Sequence, residues 1–242
     1  MLSVLRAEWL KLRKANVTGI IFAAPVLGSF IGLGYDLKTD VDINQWYLML
    51  LGMNLPYGLL FLPLTTGVLA AAVCRYEHQA GGWKQFLALP VTRGQVYFAK
   101  FLVVLFLVLA MQLLYFGVLY GVGKMNGLTD PFPANVLYKS LIGGWVAAFP
   151  IIALQLWMSL FFKSLAAPLA VNVIFTLPAI LAVNSEHFGP YYPWAQPFLM
   201  MYVGTNPEDV FFVPWEQVLT VVGGSFLIFF LGGFLYFQRK MV

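Results

Sequence analysis

The sequence predicts an all-α membrane protein with six transmembrane helices. Three observations carry this fold class. Six stretches, approximately 17–35, 46–73, 101–122, 141–162, 166–183 and 218–238, contain no Asp, Glu, Lys or Arg. Each is close to or above the roughly 20 residues that a helix needs to cross a bilayer. In water-free hydrocarbon every backbone group must be paired within its own segment, so these stretches should be helices. Charged residues make up only 10% of the chain and fall in the connections.

The third observation is how those charges divide. When the connections are assigned alternately to two sides, one side holds Arg6, Lys11, Arg13, Lys14, Arg75, Lys84, Arg93, Lys100, Lys163, Arg239 and Lys240, with Glu8 and Glu77 as its acids. The other holds Lys38, Lys124 and Lys139 against Asp36, Asp40, Asp42, Asp130, Glu186, Glu208, Asp209 and Glu216. Lys and Arg gather on the cytoplasmic side of membrane proteins. The rule puts both termini in the cytoplasm, as an even number of spans requires. The basic residues behind the net charge of +4 are spread over four such segments, which suits anionic lipid or an acidic protein surface and gives no reason to expect nucleic acid.

Residues 1–16 read as an amphipathic helix. Leu2, Leu5, Trp9 and Leu12 share one side of a helical wheel, and Arg6, Lys11 and Lys14 point largely elsewhere. That pattern suits a helix lying in the membrane interface; an ordinary basic flank of the first span is the simpler alternative. The first span is too long for a signal-peptide core, and Pro25 follows Ala23 and Ala24 where a cleavage site would be sought.

Along the transmembrane region, 17–242, Pro25, Pro56, Pro63, Pro150, Pro168 and Pro178 interrupt spans one, two, four and five. Spans three and six, without internal proline, should be straighter. Gly28 with Gly32, and Gly117 with Gly121, form GxxxG spacings that permit close helix approach. Asn54, Thr65, Thr66, Gln112, Gln155, Ser159, Asn172 and Thr176 are expected to hydrogen-bond between helices, and no ionisable group lies within a span. Ion-coupled carriers usually place such groups there.

Known chemistries find little purchase. The lone Cys74 makes no intramolecular disulfide, and no metal-ligand spacing occurs. There is no HExxH pair and no GxSxG elbow. The run Gly121-Val122-Gly123-Lys124-Met125 lacks the first glycine and the Ser or Thr of a phosphate-binding loop. No catalytic, metal or cofactor-binding residue is therefore expected on this chain.

The connection 75–100 has a more specific pattern. Gly81 and Gly82 break the preceding helix, and Trp83, Phe86, Leu87 and Pro90 follow at i, i+3, i+4 and i+7 to make one apolar face. Pro90 ends that short helix. Thr92 with Gln95 has the spacing of a capping box that starts the next helix. Docking to a partner and lying on lipid fit this face equally well.

The segments AEWLKLRK (7–14) and EHQAGGWKQFLALPVTRGQVYFAK (77–100), together with the six-span layout, resemble bacterial ABC-2 type permeases, most of all those of lantibiotic immunity. The layout covers the whole chain; the specific motifs separate the superfamily better than its subfamilies. The resemblance implies a permease subunit that pairs with a second permease and with a dimer of separate ABC ATPases, which bind the ATP and Mg. It also implies that 83–89 is the coupling helix. Glu77, Trp83, Lys84, Phe86, Leu87 and Arg93 would then surround the ATPase contact, with Lys163 at a second one. The expected cargo is an antimicrobial peptide or another hydrophobic compound, exported from the plasma membrane.

In the family the outer segment between spans five and six, here 184–217, carries short re-entrant helices. It is longer than ordinary loops and rich in aromatic residues. Membrane-interface anchoring accounts for these. A peptide-receiving vestibule is the sharper account, with Tyr191, Trp194, Glu208, Asp209 and Glu216 as cargo contacts. Two other function classes remain compatible with the sequence: a non-transporting membrane sensor or assembly module, and a lipid-modifying enzyme for which Glu77 and His78 are the only close pair. A neighbouring ATPase gene would separate the first from a permease, and mutation of Glu77 and His78 would test the second.

Overall fold

The computed structural model describes residues 2–12, 17–34, 44–78, 91–202 and 214–240. Among these residues the chain is all-helical, with no strand. The helices are α1 (Leu2–Leu12), α2 (Val17–Leu33), α3 (Gln45–Pro56), α4 (Leu62–His78), α5 (Arg93–Met125), α6 (Ala134–Ala147), α7 (Phe149–Phe161), α8 (Ala166–Ala182), α9 (Gln196–Met201), α10 (Trp215–Val218) and α11 (Gly224–Arg239).

Among the described residues, four continuous helical runs are long and apolar enough to cross a membrane: Gln45–His78, Arg93–Met125, Ala134–Phe161 and Glu216–Arg239. Counting α1 and α2, which meet at 71°, as one broken span raises the number to five. The expected count of six is not reached by length. α2 and α8 occupy the places of spans one and five, yet each has 17 residues. At 1.5 Å per residue that is about 26 Å, just short of a roughly 30 Å hydrocarbon core.

The proline pattern explains most of the irregularity. Between Pro56 and Pro63 the helix loosens into a π-helical stretch, Tyr57–Phe61, where the Leu62 N–H reaches back to Tyr57 O. Proline lacks the N–H that α-helical pairing needs, and the wider turn accommodates the mismatch. Ala148 separates α6 from α7, and Pro150 sits in α7's first turn, where a missing N–H is harmless. α5 runs uninterrupted for 33 residues, as a proline-free span should. Its capping box forms: Gln95 N–H donates to Thr92 Oγ1, and Thr92 N–H to Gln95 Oε1, both at 3.2 Å. The last span, also without proline, is one continuous run that includes a π-helical stretch, Leu219–Gly223. That stretch ends at Gly223–Gly224, where side-chain packing is minimal.

α5 is the central post. α2 lies along it, with Gly28 against the Tyr115 ring, and Gly32 is closed in by Met53 and Val122. The first GxxxG pair therefore serves packing within the chain. Gly117 and Gly121 have open space in front of them. α11 packs on α7, α7 on α4, and α4 on α8. α3 begins at Asn44, whose Oδ1 accepts the Trp46 N–H at 2.9 Å, while Asp130 Oδ2 accepts the Gln45 N–H at 2.8 Å. The buried Trp46 ring packs edge-on against Phe132.

Candidate functional site at the α1 end of the bundle

α1 turns a different face inward from the one its wheel suggests. Val4, Glu8 and Leu12 are buried at i, i+4 and i+8, whereas Leu2 and Trp9 stay exposed. The outward apolar residues remain available to a membrane interface. Glu8 faces the bundle because its partners are there.

Those partners form a tetrad of two carboxylates and two ammonium groups. Lys100 Nζ lies 2.7 Å from Glu8 Oε2 and 3.0 Å from Glu77 Oε1. Lys11 Nζ lies 2.6 Å from both Glu8 Oε1 and Glu77 Oε1. Lys100 also donates to Val73 O at 3.1 Å. The side chains of Lys100, Glu8 and Glu77 are at most 1% exposed, and Lys11 is 21% exposed. The four charges sum to zero, the condition under which burying charge is tolerable. The expectation of apolar spans without buried charge thus fails at this end: Glu77 closes α4, Lys100 belongs to α5, and both lie inside.

The tetrad is one of several ties at the same level. Arg93, in the first turn of α5, donates through Nη1 to Gln238 O (2.9 Å) and Lys240 O (2.6 Å), so a cation caps the C-terminus of α11. Lys240 Nζ donates to Leu160 O near the end of α7 at 2.5 Å. Burial, with a smaller push from Lys163, holds the Lys240 pKa below its usual value. His78 Nε2 donates to Ser159 O at 2.7 Å, joining α4 to α7. α1, α4, α5, α7 and α11 are therefore bound together where the chain enters and leaves 79–90.

The candidate coupling residues divide accordingly. Glu77 and Arg93 hold helix ends together, and Glu77 has no surface to offer a partner. Lys163 is exposed on the turn between α7 and α8. Trp83, Lys84, Phe86 and Leu87 lie outside the described residues. Glu8, Lys11 and Lys100 are the residues that sequence reasoning missed. The only signal was a pair of acids on an otherwise basic side.

Polar residues inside the bundle form a second centre. Asn54 Nδ2 donates to Met201 O, Ser140 Oγ donates to the same carbonyl, and Tyr115 OH donates to Asn54 Oδ1, each at 2.9 Å. These bonds fix the C-terminus of α9 among α3, α5 and α6. Glycines give α9 its seat: a Cβ on Gly58 would come within 2.8 Å of Phe198 Cα, and one on Gly143 within 2.9 Å of Met200 O. Asn172 Nδ2 donates to Pro63 O at 2.8 Å, linking α8 to α4. Thr65 and Thr66 turn back to their own helix, and Thr176 bonds Asn172 one turn away on α8. Gln155 and the Ser159 hydroxyl are buried without a hydrogen-bond partner among the described residues.

The candidate cargo contacts within the described residues differ in exposure. Tyr191 is 63% exposed, and Glu216 is exposed. Trp194 is 2% exposed, stacks on Phe175 and donates Nε1–H to Asn172 Oδ1 at 3.3 Å. It packs the outer segment onto α8. Glu208 and Asp209 lie outside the described residues.

Among curated proteins none matches this chain. A protein family described as ABC-2 family transporter protein matches residues 4–179, well over half of the sequence. The match starts in α1 and takes in α4, α5 and the whole tetrad. With its apolar helical runs, the chain is a multi-pass membrane permease of the kind that associates with an ABC ATPase, and it belongs to the ABC-2 family of transporter proteins.

Proposed function

We propose that the chain is the transmembrane subunit of an exporter that clears a lantibiotic-like antimicrobial peptide, or another membrane-partitioned hydrophobic compound, from a bacterial plasma membrane. The family match is the observation that carries this reading. A second permease and a pair of ABC ATPases complete the assembly. ATP and Mg sit on the ATPases, both termini are cytoplasmic, and the chain performs no bond-making chemistry. Closure of the ATPases pushes on 79–90, and the permease pair opens outward. Nucleotide shifts that equilibrium only by binding the two states differently.

The tetrad gives this reading a mechanical basis. α4 and α5 bracket 79–90, and a push on that connection reaches two helices already joined to each other and to α1. A force applied there moves a braced group of helices rather than bending one helix end.

The test is a double change to alanine at Trp83 and Phe86. Burying an aromatic side chain contributes about 1.5–3 kcal/mol, so loss of both should weaken ATPase co-purification at least tenfold and abolish transport. Membrane insertion should be unchanged. Full ATPase retention and full transport would return this segment to a lipid-facing role.

The cargo side has its own measurement. Glu186 and Glu216 are exposed, and with Glu208 and Asp209 they give the outer segment a negative field that attracts a cationic peptide. Neutralising Glu208, Asp209 and Glu216 together should lower the peptide concentration that stops growth, more at low salt than at high salt. Tyr191→Ala should give a salt-independent loss. Protection equal to the parent in both variants at both salts would remove the peptide vestibule.

A further inference from the structure

A cavity of about 170 Å³ opens beside the tetrad, between the last turn of α4, the end of α7 and the first turn of α8. Its lining includes Arg75, His78, Ser159, Lys163 and Ser164, and, among the described residues, no Asp or Glu. His78 is already engaged with Ser159 O. Arg75 and Lys163 are exposed, and neither has an acidic partner among the described residues. Ser159 is 2% exposed, and its hydroxyl has no hydrogen-bond partner among those residues. A buried hydroxyl left unpaired costs about 1–3 kcal/mol, and two cations that share a rim without an acid repel each other. The repulsion at that rim is relieved by one compact anion with several acceptor oxygens, and Ser159 belongs to the same lining.

We propose that this cavity binds the phosphate of an anionic phospholipid headgroup. The position favours a lipid over other sources of anion. The walls are the ends of apolar helices, and in the lining Phe162 is half-buried and Leu165 is 38% exposed. A phosphate held by Arg75 and Lys163 leaves its acyl chains free to run along these side chains. Long basic side chains at the ends of spanning helices reach the headgroup level. The guanidinium of Arg75 supplies paired donors, and the Lys163 ammonium supplies a point charge. The lipid is thereby held where α7 turns into α8.

The full chain is placed in phosphatidylcholine nanodiscs containing a small fraction of photoactivatable phosphatidylglycerol, and crosslinked peptides are identified. Crosslinks on the unaltered protein should map to 71–78 and 159–168. Arg75→Gln with Lys163→Gln should lower that yield about 25-fold, from roughly fivefold for each basic side chain near an anionic surface. Lys124→Gln with Lys139→Gln should leave it unchanged. Excess unlabelled phosphatidylglycerol should compete, and inorganic phosphate at the same concentration should not. Crosslinks on the unaltered protein that fall only elsewhere overturn the proposal, as does an undiminished yield in the Arg75 and Lys163 double variant. Equal competition by inorganic phosphate also overturns the lipid source. A double variant that keeps its crosslink but loses the ATPase assigns the cavity to the partner protein, which again overturns it.

Discussion

Lys100→Met is expected to lower the stability of the folded protein by about 3–5 kcal/mol, the cost of leaving a buried charge without its partner. The reason is arithmetic of charge inside the bundle. Lys100 and Lys11 balance Glu8 and Glu77. Without Lys100, two carboxylates that are at most 1% exposed keep, among the described residues of the tetrad, one ammonium that is 21% exposed. Adding Glu8→Gln to Lys100→Met leaves Glu77 paired with Lys11 and removes the surplus charge. The double variant should therefore be more stable than Lys100→Met alone, although one residue more has been changed. Thermal unfolding in detergent, followed by tryptophan fluorescence, reads the order directly. A midpoint for Lys100→Met equal to that of the parent would show that the tetrad contributes nothing to stability. A double variant less stable than the single one would show that charge balance is not its logic. In the proposed exporter the same variants should also lose transport, because α1, α4 and α5 would no longer move together.

Gly58→Val is expected to expel α9 from its seat. Even a Cβ at this position would stand 2.8 Å from Phe198 Cα and 3.1 Å from Phe198 N, both backbone atoms that no rotamer change can move aside. Overpacking of this kind costs about 1–3 kcal/mol. Here it also threatens the hydrogen bonds that Met201 O receives from Asn54 and Ser140. Displacement can be seen with a single cysteine in place of the buried Leu199, introduced in a Cys74→Ala background. A water-soluble thiol reagent should label it slowly when Gly58 is present and rapidly in Gly58→Val. Gly117→Ala, at a position with open space in front of it, is the control and should change nothing. Identical labelling in all three proteins would mean that the outer segment does not depend on this contact.

The legible part of the fold was that governed by local rules. A stretch without charge has to be a helix in a membrane, and proline has to disturb a helix, so the helical runs and the loosened turn after Pro56 could be read from composition and position. The Thr92 and Gln95 box could be read too, because capping involves residues three apart. No proline announces the π-helical stretch of the last span; it precedes Gly224, and glycine loosens a helix without removing an N–H. That Tyr191 is exposed while Trp194 is covered was not legible either. Aromatic content marks a segment as interfacial, but which ring is covered depends on what lies behind it, and behind Trp194 lie Phe175 and Asn172.

By itself the sequence determined that this is a helical membrane protein with its basic residues gathered in one set of connections, and it carried enough of the motif pattern to indicate the family. Those properties follow from hydrophobicity and charge along the chain, which need no knowledge of distant neighbours. Only the tertiary structure decided that Glu8 points inward, that Lys100 belongs to the core, and that α9 is wedged against Gly58 and Gly143. Glu8 is followed by a strongly basic stretch and reads as a solvated side chain. It is buried because Lys100, 92 residues away along the chain, is brought within 2.7 Å of it. A charge enters a bundle only where its counter-charge enters with it, and the meeting of three helices that allows this is not written in any one of them.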